Sequence, residues 1–567
     1  WLFRHPLVVV SPLLVVMLAA LNTFGFMAGV GIPITMLSMI LPAFIICVGL
    51  GDSVHLISVF RSMLGRGLSR REALVFAIGS TGKPIVYTSL TTMIGLLSFR
   101  FASIEGIQQM GTAGAIGVCA ACLHSLLLLP ILLSFLGEDA QLGGHSNQAP
   151  DRLSHFLRWC NLCSTSEGDD GRGALPLESR RRRRLTLFLG ALLFGALLAS
   201  MSLLEVYHNP LSWLSEEQPL RRSFALMDEE MGGSADIHLL IEGGEQKGLR
   251  DLSLFQGLEA LEAHIKTFEH PRYGAIVGPV VSPLNVVKST VRALNEGDEE
   301  AYRLPKDDAS LSESLFLFEN AGPDEMKRMM TTDLSRGRAS LRLRWLDASA
   351  YAPVAAHLEA GIREYIPAQV KVRPTGTVYS LLSTIGQLII DLGKSFGVAC
   401  FIITVLLIIQ LRSVKLGLIA MVPNLTPIIF VMGFMAITGI PIDMVNILIA
   451  SLAIGIAVDD TIHMLHHFQI HFREHANVEE AIHNAFEHAG RAMVSTSVVL
   501  GSGFAAFSFA TISNIQRFGL LITLTAVAAM LIDLIFTPAL LRLCFAREET
   551  GQAVSRIEKS VTQQGEA

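Results

Sequence analysis

Charge is the first thing missing from this chain. From Pro6 to Gly51 there is no Asp, Glu, Lys, Arg or His, and of all 567 residues only 17% are charged while 51% are hydrophobic. That balance excludes a single soluble core, because the uncharged runs reach the roughly 20 residues a helix needs to cross a bilayer. Cysteine is sparse as well: the seven cysteines all fall outside residues 205–385, so no disulfide holds that segment. Nothing at the start reads as a cleavable signal peptide, since the first apolar stretch is too long and leads straight into another. The net charge of −6 is small for this length and points to no nucleic-acid partner. No nucleophile–base set or metal-ligand spacing stands out, so the chain reads as a non-enzyme without cofactor or metal. Cys160 and Cys163 form a lone C-x-x-C with no second pair, and His466, His467, His471, His475, His483 and His488 read as solvated side chains of a polar helix-loop-helix.

What is present is a series of long apolar runs. Spans are predicted at 6–28, 34–58, 84–101, 108–136, 185–204, 392–411, 415–438, 443–468, 491–511 and 517–543, ten in all, split four plus six. Arg61, Arg66, Arg70 and Arg71 follow the second span, five arginines run from Arg180 to Arg184, and Arg412 and Lys415 flank a short turn. The positive-inside rule places these loops in the cytoplasm, and the arginine run suits anionic lipid headgroups. Residues 205–385 then lie outside. There Ile237–Ile241, Ala339–Trp345 and Val370–Val372 read as strands, and Leu252–Phe268 and Ala352–Tyr365 as helices, an α+β domain. Leu153–Cys163 is predicted to be an interfacial helix on the inner leaflet.

The strongest pattern is internal. Residues 31–135 recur as 439–543 at a constant offset of 408 without a gap: Gly31-Ile32-Pro33-Ile34 returns as Gly439-Ile440-Pro441-Ile442, Gln108 as Gln516 and Pro130 as Pro538. Duplicated halves are a recurrent construction of secondary transporters. An even number of crossings between the copies makes them parallel repeats. The expected organisation is a first transmembrane repeat at 1–136, a cytoplasmic linker at 137–184, a span at 185–204, an outer domain at 205–385, a second repeat at 386–545 and a cytoplasmic tail at 546–567. The offset holds back to Arg4, which falls on Arg412, and the chain opens on Trp1. An upstream span, a first outer domain and a further span are therefore expected in the natural protein.

Chemistry concentrates in the span at 443–468. Asp459 and Asp460 sit in an otherwise apolar helix, where each ionised acid costs about 2.5–3.5 kcal/mol on insertion scales. Hydrogen-bonded glue between helices is the plain alternative, but a second, symmetry-related site favours function. Adjacent acids cannot both ionise cheaply in low dielectric, so the pair is expected to titrate as one coupled unit that takes up and releases a proton. His463 follows at helical spacing and could share that proton. Asp52 and His55 repeat the arrangement, with Gly51 in place of one acid, and Thr88, Ser89, Thr496 and Ser497 supply hydroxyls for an interhelical relay. Asp533, whose counterpart is Ser125, is either a further relay member or a capped acid near the interface. His124 and the glycines Gly49, Gly51, Gly95, Gly455, Gly501 and Gly503 read as packing positions.

The Gly-x-x-x-Asp-Asp core from Gly455 to Asp460, the Gly-Ile-Pro-Ile turns, the duplication and the large outer segment resemble the resistance-nodulation-division (RND) superfamily. The run Val458–His463, with Pro423-Asn424-Leu425, is most similar to its MMPL-like branch of lipid and hopanoid exporters, related to Patched and sterol-sensing proteins. The resemblance implies a multi-pass protein of the bacterial inner membrane whose periplasmic porter-type domain is built of ferredoxin-like subdomains. It further implies an exporter of lipids or other hydrophobic or amphiphilic molecules, driven by the proton-motive force through Asp459 and Asp460. Its partners would be the lipid substrate, membrane lipids and periplasmic accessory proteins. Multidrug members pair their acids with an intramembrane lysine, whereas here Lys83 and Arg491 lie at span ends, which favours the lipid branch. A non-transporting sterol- or lipid-sensing membrane protein and a proton-driven auxiliary of protein secretion are the alternatives.

Overall fold

The computed structural model describes residues 6–135 other than 36, then 156, 157, 159 and 160, residues 177–443 other than 244–247, and residues 445–545 other than 447 and 476. Cys163, most of the stretch at 153–163 and the tail at 546–567 lie outside the described residues.

In chain order the helices used below are α1 (Pro6–Val30), α2 (Leu41–Gly65), α3 (Arg70–Leu97), α4 (Glu105–Leu123) and α5 (Leu177–Ser200). Next come α6 (Leu252–Lys266) and α7 (Tyr351–Tyr365), followed by α8 (Thr377–Leu411), α9 (Val414–Thr438), α10 (Leu448–His475), α11 (Val478–Ala485), α12 (Arg491–Ala505) and α13 (Ser513–Leu531). The chain divides into two compact units. One comprises Trp1–Glu205, Leu388–Ala510 and Asn514–Ala567; the other comprises Val206–Gln387 with Thr511–Ser513.

Local chemistry sets the ends of the helices in the first unit. Ser69 and Glu72 form a capping box that starts α3, each side chain bonding the other's backbone N–H. Helix α1 stops at Gly31 (φ 73°) and α9 at Gly439 (φ 69°), left-handed positions where a Cβ would be strained. Beyond each glycine, Ile32 N–H bonds Met27 O at 2.8 Å and Ile440 N–H bonds Met435 O at 2.9 Å. The equivalence continues at π turns, His124–Leu128 after α4 and Ile532–Phe536 after α13, each followed by the repeated proline. Packing crosses between the copies: α10 lies on α3 and α12 on α2. Glycines permit this approach. A Cβ on Gly455 would stand 3.2 Å from Thr92 Cα, one on Gly95 3.0 Å from Ser451 O, and one on Gly503 2.6 Å from Cys47 Sγ.

Among the described residues eight helices are long and apolar enough to cross a membrane, so the chain is a polytopic helical membrane protein. Two of the ten predicted spans do not meet that measure. The span at 84–101 is the second half of α3, where Thr88, Ser89, Thr91 and Thr92 dilute the apolar run. The span at 185–204 is a helix whose apolar part, Phe188–Leu203, is shorter than 18 residues. Helix α8 begins at Thr377, well before the predicted 392, because helical hydrogen bonding continues past the apolar run.

The second unit carries one four-stranded sheet, in the order β2-β3-β1-β4, from β1 (Ala235–Glu242), β2 (Val277–Val281), β3 (Arg336–Leu343) and β4 (Lys371–Thr375). Every neighbouring pair is antiparallel, with Ile237 opposite Leu341 and Ile241 opposite Val372. Ala235, Ile237, Leu239 and Ile241 alternate into the core with Phe255, Leu258 and Leu261 of α6 and Val354 and Leu358 of α7. The sequence pattern missed β2, whose Gly278-Pro279 breaks the alternation. It also starts β3 three residues late.

Candidate functional site

Helices α2 and α10 are the most enclosed of the eight candidate spans, and they carry the predicted acids. Asp52 is 3% exposed and Asp460 6%, so both carboxylates lie inside the bundle rather than toward lipid. Their partners repeat. Thr88 Oγ1 and Ser89 Oγ donate to Asp52 at 3.5 and 3.1 Å, and Thr496 Oγ1 and Ser497 Oγ donate to Asp460 at 3.3 and 3.1 Å. The four hydroxyls expected to form a relay thus act as paired donors to two separate acids, Asp52 held from α3 and Asp460 from α12 of its own copy.

Between these two centres lies Asp459, less enclosed, with its side chain 16% exposed. Gly51 faces it: a Cβ there would be 3.8 Å from Asp459 Oδ2, so the glycine that replaces an acid in the first copy leaves room for the acid of the second. His463 Nε2 is 3.8 Å from Asp459 Oδ1, too long for the shared hydrogen bond that the spacing suggested. Its ring instead stacks on His55, with centroids 3.9 Å apart and planes 3° from parallel. The repeated histidines meet across the seam, a contact that no reading of one helix could reveal. His55 Nε2, His463 Nε2 and Asp459 Oδ1 are all buried without a hydrogen-bond partner, and each of these three residues brings a ring nitrogen or carboxylate oxygen within 4.8 Å of the other two. Such a trio has metal-ligand chemistry, but imidazoles in parallel planes aim their in-plane lone pairs along parallel planes and do not converge on one ion.

Asp533 lies 2% exposed in the π turn after α13. It accepts from Thr537 Oγ1 at 2.9 Å and from Thr461 Oγ1 at 2.9 Å to either oxygen. Thr461 Oγ1 is also 2.7 Å from Asn424 Oδ1 on α9. Thr461, Asn424 and Thr537 were not singled out as site residues from sequence; the available signal was a further polar side chain in each of three mostly apolar spans. In the first copy the corresponding contact joins Ser53 and Ser125 at 3.3 Å, with no charge. The structure therefore brings together Asp459, Asp460, His463, Asp52, His55 and the four hydroxyls, and adds Asp533 through Thr461, the residue next to Asp460. A Cβ added to any of the six packing glycines would meet a neighbour within 4 Å. His124 stands 3.4 Å from Asn22 Nδ2, apart from the acids.

Comparison with known proteins places this geometry in context. The chain is 29% identical over 131 residues to a putative membrane protein of Methanocaldococcus jannaschii, covering 23% of this chain and 34% of that one. It is 23% identical over 282 residues to the apo-petrobactin exporter of Bacillus anthracis, covering 48% and 37%. It is also 28% identical over 127 residues to a hopanoid transporter of Rhodopseudomonas palustris, covering 22% and 14%. The matched part is thus little more than a third of each relative's length at most. The MMPL family model matches residues 1–167 and 305–563, the larger part of the sequence, and the chain belongs to the MMPL family.

Proposed function

We propose that this chain belongs to a proton-motive-force-driven exporter of lipids or other hydrophobic or amphiphilic molecules, set in a bacterial inner membrane with the sheet-bearing unit in the periplasm. The observation that carries the reading is the pair of buried carboxylates, Asp52 and Asp460, each held by a Thr-Ser hydroxyl pair at equal positions. An ionised acid at such depth is expensive and is retained where charge must move. Asp459 and Asp460 are the proton carriers, His463, His55 and Asp533 adjust their proton occupancy, and the hydroxyls stabilise the charged form. The two copies act as parallel repeats that rock about the seam. The sheet order β2-β3-β1-β4, with α6 after β1 and α7 after β3, supports a ferredoxin-like porter subdomain. On this reading the protein is a transporter and not an enzyme, and it needs no cofactor beyond the gradient.

Energetics constrain the route. Drawing a 16-carbon chain into water costs roughly 13 kcal/mol at about 0.8 per methylene, whereas one proton crossing 100 mV supplies about 2.3. The substrate must therefore stay against apolar surface throughout. The exporters of petrobactin and hopanoids among the relatives support a transport role. The test is lipid release from proteoliposomes of the full-length protein under an imposed pH gradient. Replacing Asp459 and Asp460 with Asn is expected to abolish it, and undiminished, pH-insensitive release would sink the proposal. A lipid sensor on the same scaffold would keep ligand binding and signalling in that variant.

A further inference from the structure

Thr461 has one hydroxyl proton, yet its Oγ1 sits within hydrogen-bond reach of three acceptor groups: Asn424 Oδ1 at 2.7 Å, both oxygens of Asp533 at 2.9 Å and Ala457 O at 3.3 Å. Asn424, Thr461 and Thr537 are 0% exposed and Asp533 is 2% exposed, so bulk solvent does not reach the cluster. Meanwhile Asn424 Nδ2, a donor, is buried with no partner. Counting protons leaves two consistent arrangements. If Asp533 is a carboxylic acid, it donates to Thr461 Oγ1, and Thr461 donates onward to Asn424 Oδ1, which is the amide orientation present. If Asp533 is a carboxylate, Thr461 must donate to it, since a hydrogen bond to a charged acceptor is the stronger. Two acceptor oxygens would then face each other at 2.7 Å, and the Asn424 amide must turn over so that Nδ2, otherwise without a partner, donates to Thr461.

We propose that Asn424 is a positioning residue whose side-chain amide turns over with each protonation and deprotonation of Asp533, carrying proton occupancy from the π turn after α13 through Thr461 of α10 to α9. The inference rests on the proton-coupled reading of the site. The titratable group facing Asp533 from α10 is Asp460; α9 presents Asn424, and α5 approaches this turn with Gly190 against Phe536. Thr537 donates to Asp533 from the same helix. The first copy has nothing to turn over, because Val16, Ser53 and Ser125 stand at the equivalent positions.

The test is pH-difference infrared spectroscopy of the full-length protein in lipid nanodiscs with isotope-labelled asparagine. The carboxyl band lost in Asp533→Asn identifies Asp533, and the amide band lost in Asn424→Leu, or displaced in Asn424→Gln should the leucine variant not fold, identifies Asn424. The Asn424 band is expected to change with the same pH midpoint as the Asp533 band and to become pH-invariant in Asp533→Asn. In Asn424→Leu the Asp533 midpoint is expected to move by about half a pH unit or more, a threefold change in proton affinity. A titrating Asp533 band with an invariant Asn424 band overturns the inference while leaving proton coupling standing. An Asp533 band that never titrates while Asp460 does removes Asp533 from the relay and the inference with it.

Discussion

Asp52 and Asp460 accept hydrogen bonds from the same two hydroxyl positions, yet Asp460 has a second carboxylate beside it in sequence and Asp52 has a glycine. The contrast runs through the site. Where the second copy has Asp459, Asp460 and Asp533, the first has Gly51, Asp52 and Ser125. What both copies share is geometry: a left-handed glycine ending α1 or α9, a π turn before the repeated proline, and a stacked histidine from each. A Cβ on Gly111 would fall against Leu96 O, and one on Gly519 against Phe504 O, which are again equivalent positions. Packing demands are therefore met twice while ionisable chemistry is gathered on one side. Of these acids the first copy supplies one and the second three.

That asymmetry can be broken by substitution. Asp460→Asn is expected to reduce gradient-driven transport to background, whereas Asp52→Asn lowers it about tenfold, roughly 1.4 kcal/mol in barrier. Equal losses in a proteoliposome assay would show the copies to be functionally alike. Gly111→Ala and Gly519→Ala should each destabilise the helical unit by about 1–3 kcal/mol, because backbone oxygen cannot move aside. Matched falls in thermal melting would sharpen the packing equivalence. Gly51→Ala should melt like the parent, since its Cβ meets Asp459 Oδ2 at ordinary van der Waals distance.

A smaller effect than those of the acids and of Gly111 and Gly519 is expected in the other unit. Burial holds His208 below its usual proton affinity. Its folded value thus lies under the unfolded value of about 6.5, so its contribution to stability is fully present above that pH and is lost as pH falls through the lowered value. Trp213 stands edge-on to the ring, with centroids 5.2 Å apart. An acid step in tryptophan fluorescence that disappears in His208→Phe would verify this.

The duplication and its acids were legible because offset and charge are properties of the string itself. The strands β1 and β3 were legible by alternation, and α10 by its apolar run. Relations between spans were not. Asn424 and Asp533 lie 37 and 72 residues from Thr461, and only folding brings them to one hydroxyl. The spacing of His463 to Asp459 suggested a shared proton within one turn; the ring turned instead toward its own repeat on α2. Span limits were misjudged where helices run on into polar sequence, as α8 does from Thr377.

Because α10 leans on α3 and α12 on α2, each copy buries part of its surface against the other. A lone ancestor of this design could have sealed the same faces only by pairing with an identical molecule, and joining the two genes would have freed each side to drift chemically while the fit between them stayed under selection.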